Sequence, residues 1–315
     1  MKKIAVFLAV CRFVTAIAAE YAGWSGPPPV GTLQIHQIDN PEQIGDIYII
    51  IAPDGTVSLM DTGVISTGET VLTRALEKRG IRRIDQLLIS HFHSDHAGGA
   101  ATLLADPKFT VGKVICTFPP EDRVAPGSEL KLYRALKMLA SRRDIPWVQL
   151  TVGDSIDFGA GVVAEVVGAA SPGIKDHNGL SLVFRLRCKN FSMLFTGDCS
   201  FAEEKLILAS GKNIRADVLK IAHHGGAGSN SDAFIDAVSP QIVVAPQPKW
   251  LALDPRGIRV EEMIRKRNRP YFPGWKYPDL VVFSDGLKFW CFAPAESERS
   301  GLTVSGNGDI VSGGR

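Results

Sequence analysis

The stretch His91-Phe92-His93-Ser94-Asp95-His96-Ala97-Gly98-Gly99 (HFHSDHAGG) decides the reading of this chain. It places four metal-capable side chains, His91, His93, Asp95 and His96, in a six-residue window. Only seven of the 315 residues are histidine, and three fall here, which argues against a solvated loop and for a metal centre. The preceding run Ile84–Ile89 (IDQLLI) is short and aliphatic, follows the helix-ending Gly80, and reads as a buried strand that stops at Ser90. The four side chains then lie on a loop at the strand's carboxyl end. If that loop stays extended, His91 and His93 point the same way, and the adjacent Asp95 and His96 diverge, as two neighbouring metals require. Ala97, Gly98 and Gly99 add no bulk, so a helix near 100–105 can begin close to the ions.

The HxHxDH pattern with its following glycines resembles the metallo-β-lactamase superfamily. That resemblance implies a four-layer αββα sandwich, an α/β fold, with one or two metals between two sheets. Three further stretches resemble its other motifs. Leu59-Met60-Asp61-Thr62-Gly63 is similar to the first, which implies that Asp61 orients a ligating histidine. Leu194-Phe195-Thr196-Gly197-Asp198 is similar to the motif whose aspartate bridges both metals. Residues 217–226 (DVLKIAHHGG) resemble the last histidine motif. Together with NGLSLVFRL (178–186) and Ser229-Asn230-Ser231, these stretches most resemble the branch containing the soluble domain of ComEC-type competence proteins and related secreted phosphodiesterases. The likeness spans roughly residues 32–290.

By analogy with that branch, the metal ligands are His91, His93, Asp95, His96, Asp198 and His224, and His223 faces the substrate. Asp95 both ligates and orients the nucleophile, so the catalytic pair is Asp95 and His223. Most superfamily members have a histidine where this chain has Asn178. A carboxamide oxygen binds a hard cation weakly or hydrogen-bonds a bound water, which leaves one metal under-coordinated. His177 either turns inward to restore the ligand or stays at the surface beside Asp176. A nitrogen and oxygen ligand set without thiolate implies two divalent ions, zinc first, with manganese or iron as alternatives.

Composition bounds the rest. At 45% apolar and 22% charged residues, the chain can form one large α/β domain. With 35 basic against 33 acidic residues there is no global field to steer nucleic acid. A local basic and aromatic stretch (Arg256, Arg259, Arg265, Lys266, Arg267, Arg269 and Lys276, near Tyr271, Trp275 and Tyr277) fits either a single-stranded nucleic-acid groove or, more commonly, a solvated helix face. Competence-type domains carry a further histidine in this region, and this chain has none after His224, which weighs against DNA hydrolysis.

Residues 1–19 read as a signal peptide, with Lys2 and Lys3 before an apolar run and small residues at Ala16-Ile17-Ala18, so the protein is expected to be exported to the periplasm or outside. No later run is long and apolar enough to cross a bilayer, which excludes stable membrane insertion. Residues 20–293 form the expected domain, and the Ser/Gly-rich stretch 294–315 reads as a flexible tail. Cys116, Cys188, Cys199 and Cys291 allow three full pairings, and the sequence does not choose among them. The expected function is metal-dependent hydrolysis of a small-molecule or oligomeric ester, a phosphodiester first. The alternatives are a lactonase or β-lactamase on the same fold, and a non-catalytic metal-dependent binding protein.

Overall fold

A computed structural model describes residues 28–64, 70–124, 126–170, 173 and 176–292, with the backbone of 302–305 and 310–312. Residues 1–19, expected as a signal peptide, lie outside the described residues. The first half runs β1 (Leu33–Ile38), β2 (Tyr48–Ile51), β3 (Val57–Met60), α1 (Val71–Lys78), β4 (Arg83–Ile84), β5 (Gln86–Ile89), α2 (Ser94–Ala105), β6 (Thr110–Val111), β7 (Val114–Cys116), α3 (Ser128–Ser141) and β8 (Trp147–Gln149). The second half runs β9 (Ser155–Gly159), β10 (Val162–Gly168), β11 (Val183–Cys188), β12 (Phe191–Phe195), α4 (Phe201–Ala209), β13 (Val218–Lys220), α5 (Asp232–Val238), β14 (Ile242–Ala245), α6 (Lys249–Ala252), α7 (Pro255–Lys266) and β15 (Tyr271–Pro273). Four strands follow: β16 (Asp279–Ser284), β17 (Phe289–Phe292), β18 (Leu302–Ser305) and β19 (Ile310–Ser312).

Two large sheets stack. The first has the order β19-β18-β17-β16-β1-β2-β3-β5-β7-β8, and the second β15-β14-β13-β12-β11-β10-β9. The core between them joins Ile35, Ile50, Met60 and Leu88 of one sheet to Phe184, Met193, Phe195 and Val244 of the other. Outer cores lie under helices on both sides, Leu87 and Ile89 against α1–α3 and Leu194, Leu219 and Val243 against α4, α5 and α7. Alternation along β5 explains the layering: Leu88 faces the central core while Leu87 and Ile89 face the helices, so a continuous aliphatic run is buried on both faces. The result is the expected four-layer αββα sandwich.

Strand direction places the site. β3, β5, β7 and β8 pair in parallel through helical crossovers, as do β12, β13, β14 and β15. Ligands in such sheets gather beyond the carboxyl ends of the parallel strands. Asp61 follows β3, His91 follows β5, Asp198 follows β12, and His223 and His224 follow β13.

Two expectations change. The loop does not stay extended beyond His93, because α2 begins at Ser94 with His93 as its N-cap residue, six residues earlier than the expected 100. Thr62 donates its N–H and hydroxyl to the His96 carbonyl at 2.7 and 2.8 Å, and Gly99 N donates to Gly63 O at 3.0 Å, which docks the first turns of α2 onto the Asp61-Thr62-Gly63 loop. A glycine pair normally disfavours a helix; here a Cβ at Gly99 would stand 2.3 Å from Thr62 O, so close backbone approach outweighs propensity. The stretch expected as a flexible tail contains β18, paired onto β17, and β19, paired onto β18. Its Leu302-Thr303-Val304 and Ile310-Val311 are strand formers flanking Gly306-Asn307-Gly308, and the surrounding Ser and Gly content masked that pattern. The four cysteines after residue 20 are free and buried.

Replacing Gly99 by alanine is expected to destabilise the fold by about 1–3 kcal/mol through overpacking, read from urea unfolding midpoints.

Candidate metal centre

Phe92 sets the aim of the two histidines beside it. Its ring packs against Phe118, Tyr133 and Trp147 in the outer core, so His91 and His93 point the opposite way, with His91 Nε2 and His93 Nδ1 3.0 Å apart. The focal atom of the site is Asp198 Oδ2. His96 Nε2 lies 3.2 Å from it, His224 Nε2 3.4 Å, His223 Nε2 3.9 Å and His91 Nε2 4.0 Å. Asp95 Oδ2 sits 3.3 Å from His224 Nε2 and 3.7 Å from His96 Nε2. One ligand atom each from Asp95, His96, Asp198 and His224 therefore falls within 4.8 Å of the others. Asp95 and His96 converge on one centre rather than diverging. The first turn of α2 causes this, because neighbours on a helix are offset by about 100° instead of facing opposite sides of an extended chain.

Hydrogen bonds behind the imidazoles orient them. His96 Nδ1 meets Asp61 Oδ2 at 2.9 Å, and Asp61 is held by Ser90 N at 2.7 Å and Ser90 Oγ at 2.6 Å. His224 Nδ1 meets Pro246 O at 2.9 Å, with Asp46 Oδ1 3.1 Å away. His91 Nδ1 faces Ser90 Oγ at 3.0 Å. A donor role for each Nδ1 leaves each Nε2 lone pair directed inward. Both members of the last histidine pair adopt left-handed backbone, at φ 52° and 53°, a sparsely populated region for residues with a Cβ. This turn brings both rings toward Asp198, His224 fully buried and His223 one-third exposed at the mouth. Asn230 braces it through two bonds to Ala222, and Glu204 on α4 accepts from the backbone N–H groups of Asn230 and Ser231.

Asn178 sits in a single 3-10 turn ahead of β11. Its Nδ2 is 3.4 Å from His223 Nε2, and its Oδ1 is buried without a hydrogen-bond partner. The His177 ring centre lies 6.0 Å from that of His93, whose Nε2 is 3.8 Å from Glu129 Oε1 on α3. His177 is not among the residues grouped around Asp198.

Charge is concentrated here. Buried Lys220 places Nζ 2.5 Å from Asp46 Oδ2, 2.6 Å from Gly197 O and 3.7 Å from Asp198 Oδ1. Burial pushes the Asp198 carboxyl up, but His96 and His224 outweigh it and hold the group well below the usual carboxylate range. Burial likewise pulls the His96 and His224 imidazoles down, but Asp198 and Asp46 outweigh it and hold both well above the ordinary value. Burial, then His96, hold His91 well below it. The donor set fits a divalent cation: carboxylate oxygens and imidazole nitrogens converge, and Asp198 Oδ1 and Asn178 Oδ1 are buried without hydrogen-bond partners. Cys199, next to Asp198, packs in the outer core and its thiol points to Ser200 O, so it contributes no thiolate.

Sequence reasoning missed Asp46, Lys220, Glu129 and Glu204. Lys220 alone carried a signal, a lysine inside the apolar run Val218-Leu219-Lys220-Ile221. The basic stretch near the C-terminus is largely neutralised by its own acids. Arg256 pairs with Asp254, Arg265 with Glu261, Lys266 with Glu262, and Arg267 with Asp232 and Asp236.

An αββα sandwich with a His/Asp cluster between the carboxyl ends of its two parallel blocks is a metal-binding fold with a candidate two-metal centre. The family model described as "Metallo-beta-lactamase superfamily" matches residues 41–245, and the chain belongs to that superfamily. It is 32% identical over 188 residues to Competence protein ComA of Neisseria gonorrhoeae, covering 59% of this chain and 23% of that protein. It is 27% identical over 246 residues to ComE operon protein 3 of Bacillus subtilis, covering 75% of this chain and 30% of that protein. The chain thus spans less than a third of either relative. CmlA, a diiron β-hydroxylase from Streptomyces venezuelae, shares the fold at TM-score 0.51 and 16% identity, over 78% of this chain and 53% of that one. Among the described residues no helix is long and apolar enough to cross a membrane.

Asp61→Asn is expected to weaken metal binding by about 10–100-fold in chelator competition, because it disturbs the partner that orients His96. Metal binding is expected to release protons from His96 and His224, so the apparent affinity should rise with pH through neutrality, read as acid release in weakly buffered titrations.

Proposed function

We propose that this protein is a metal-dependent hydrolase of phosphodiester or related ester bonds, with two divalent ions shared across Asp198. The observation that carries the reading is the convergence of Asp95, His96, Asp198 and His224 on one buried centre, with the one-third exposed His223 and the Asn178 amide at its mouth. Asp95, His96 and His224 would hold one ion and His91 and His93 the other, with Asp198 between them. Zinc fits the donor set, and manganese and iron fit it too. When bound, such ions lower the pKa of a coordinated water to about 7 and offset charge that develops on the attacked group.

The remaining chemistry belongs to the chain. Asp95 is more exposed than the other three residues of its group, which suits a carboxylate that also orients the attacking water. His223 Nδ1 is 3.0 Å from Ala227 O, which turns Nε2 toward the site, in place to exchange a proton with a leaving oxygen. Asn178 Nδ2 is placed to donate to an oxygen of the substrate. A small or oligomeric ester suits the site better than DNA, since Arg256, Arg265, Lys266 and Arg267 of the basic stretch are paired with its own acids and no histidine follows His224. The leader-like residues 1–19 support export to the periplasm or beyond.

Asn178 also favours a second reading, a metal-dependent binding protein without turnover, because a carboxamide in place of an imidazole leaves the His91/His93 position less firmly held. Bis(p-nitrophenyl) phosphate, a chromogenic lactone and a chromogenic β-lactam, assayed with wild type and Asp198→Ala, separate these readings. The phosphodiester is expected to turn over and Asp198→Ala to lose at least about 100-fold in kcat/KM. Retained metal without hydrolysis of any ester would leave the binding reading. Asn178→His is expected to raise the bound metal stoichiometry after dialysis, measured by elemental analysis.

A further inference from the structure

His93 faces the centre the opposite way from its neighbours. His91, His96 and His224 direct Nε2 inward and turn Nδ1 to Ser90 Oγ, Asp61 Oδ2 and Pro246 O. His93 instead brings Nδ1 to the centre, 3.0 Å from His91 Nε2, so Nε2 is its outward atom. The carboxylate facing that atom is Glu129, whose Oε1 lies 3.8 Å away. A neutral imidazole that ligates through Nδ1 must carry its proton on Nε2, so an acceptor at Nε2 favours the ligating tautomer.

Helix packing puts Glu129 there. Glu129 and Tyr133 are one turn apart on α3 and share a face. The Tyr133 ring stacks on Phe118 with centres 4.0 Å apart and meets Phe92 edge-on at 5.1 Å, and its hydroxyl accepts from Gln149 Nε2 at 3.0 Å. Phe92 is the residue between His91 and His93, so the contact that docks α3 also sets where Glu129 stands relative to that pair. The carboxylate is itself held, because Ser128 Oγ donates to Glu129 Oε1 at 2.9 Å. Burial pushes the Glu129 carboxyl up, but its own N–H, Ser128, His177 and His93 outweigh it and hold the group below the ordinary value. A charged acceptor, about one-fifth exposed, thus stands beside a ring whose ligating form requires an outward N–H. The separation of 3.8 Å is longer than a hydrogen bond, and contacts of this kind tighten when the site is filled.

We propose that Glu129 is the positioning residue of the His91/His93 metal position: its carboxylate accepts a hydrogen bond from His93 Nε2–H and so keeps Nδ1 directed at the ion. This rests on the reading that His91 and His93 hold one of two ions. It makes the outer helix α3 part of the metal centre, and it supplies a charged partner on the side where Asn178 stands in place of an imidazole.

Zinc titration of the full-length protein against a competing chelator, with Glu129→Gln and Glu129→Ala beside wild type, tests it. Wild type is expected to show two binding steps. The weaker step should lose about 10–100-fold in affinity in Glu129→Ala and less in Glu129→Gln, whose amide oxygen still accepts, while the tighter step and the melting temperature stay unchanged. Proton NMR of the zinc-loaded protein reads the contact itself. The His93 Nε2–H resonance is expected downfield and slow to exchange in wild type and shifted upfield in Glu129→Gln, a change that altered helix packing at constant melting temperature would not produce. An unchanged weaker step in Glu129→Ala, or an unmoved His93 Nε2–H resonance in Glu129→Gln, overturns the role of Glu129 and leaves the two-ion reading standing. A single binding step in wild type overturns both.

Discussion

Four carboxylates, Asp46, Asp61, Asp95 and Asp198, are gathered between two apolar sheets, and the structure around them is organised by the need to compensate that charge. An uncompensated buried carboxylate costs several kcal/mol. Lys220 answers for Asp46 and Asp198 from the end of β13, and Ser90 answers for Asp61 through its N–H and hydroxyl. His96 and His224 complete the balance as long as they carry protons, and a divalent ion takes over that role when the protons leave. Several local oddities follow from this arrangement. Gly197 adopts φ 50° and offers its carbonyl to Lys220, where a Cβ would stand 2.8 Å from Ser90 and 2.9 Å from Ser181. Asp61 and both histidines of the last pair also take left-handed backbone, Asp61 where its carboxylate meets His96 Nδ1 and the histidines where their rings turn toward Asp198.

How much of this was legible depended on whether a feature is local. HFHSDHAGG announces a metal centre because the chemistry needs scarce residue types at short spacing. The strand before it is equally clear, because burial on both faces leaves a continuous aliphatic run. The start of α2 was not legible: two glycines argue against a helix, and the hydrogen bonds from Thr62 that favour one come from another part of the chain. Asp46 is a lone acid in an ordinary loop, and nothing near it in sequence points to Lys220 or His224. Lys220 itself was visible as an anomaly, a charge in a buried strand, but only the fold supplies its partners. Glu203 and Glu204 are adjacent and chemically identical, yet Glu204 accepts from the backbone of a distant loop and Glu203 does not.

The two halves of the chain contribute unlike parts of the centre. Asp46, Asp61, His91, His93, Asp95 and His96 come from the first sheet's side, and Asn178, Asp198, Lys220, His223 and His224 from the second. Neither half holds a complete ligand set. The geometry of the centre therefore reports how the sheets are stacked, and the central core of Met60, Leu88, Phe184 and Phe195 is as much a determinant of the site as the residues that line it.

The path of the chain through the first sheet bears on how it is made. β1 lies between β2 and β16, and Leu33 of β1 pairs with Ser284 of β16. During synthesis β1 can meet β2 almost at once, but its other edge stays unsatisfied until β16, about 240 residues later in the chain, has emerged. A bare, apolar edge strand is a template for pairing with other chains. The first sheet thus passes a long interval exposed to misassembly, and a chain that crosses a membrane before folding would meet that hazard on the far side, with all of its strands present at once.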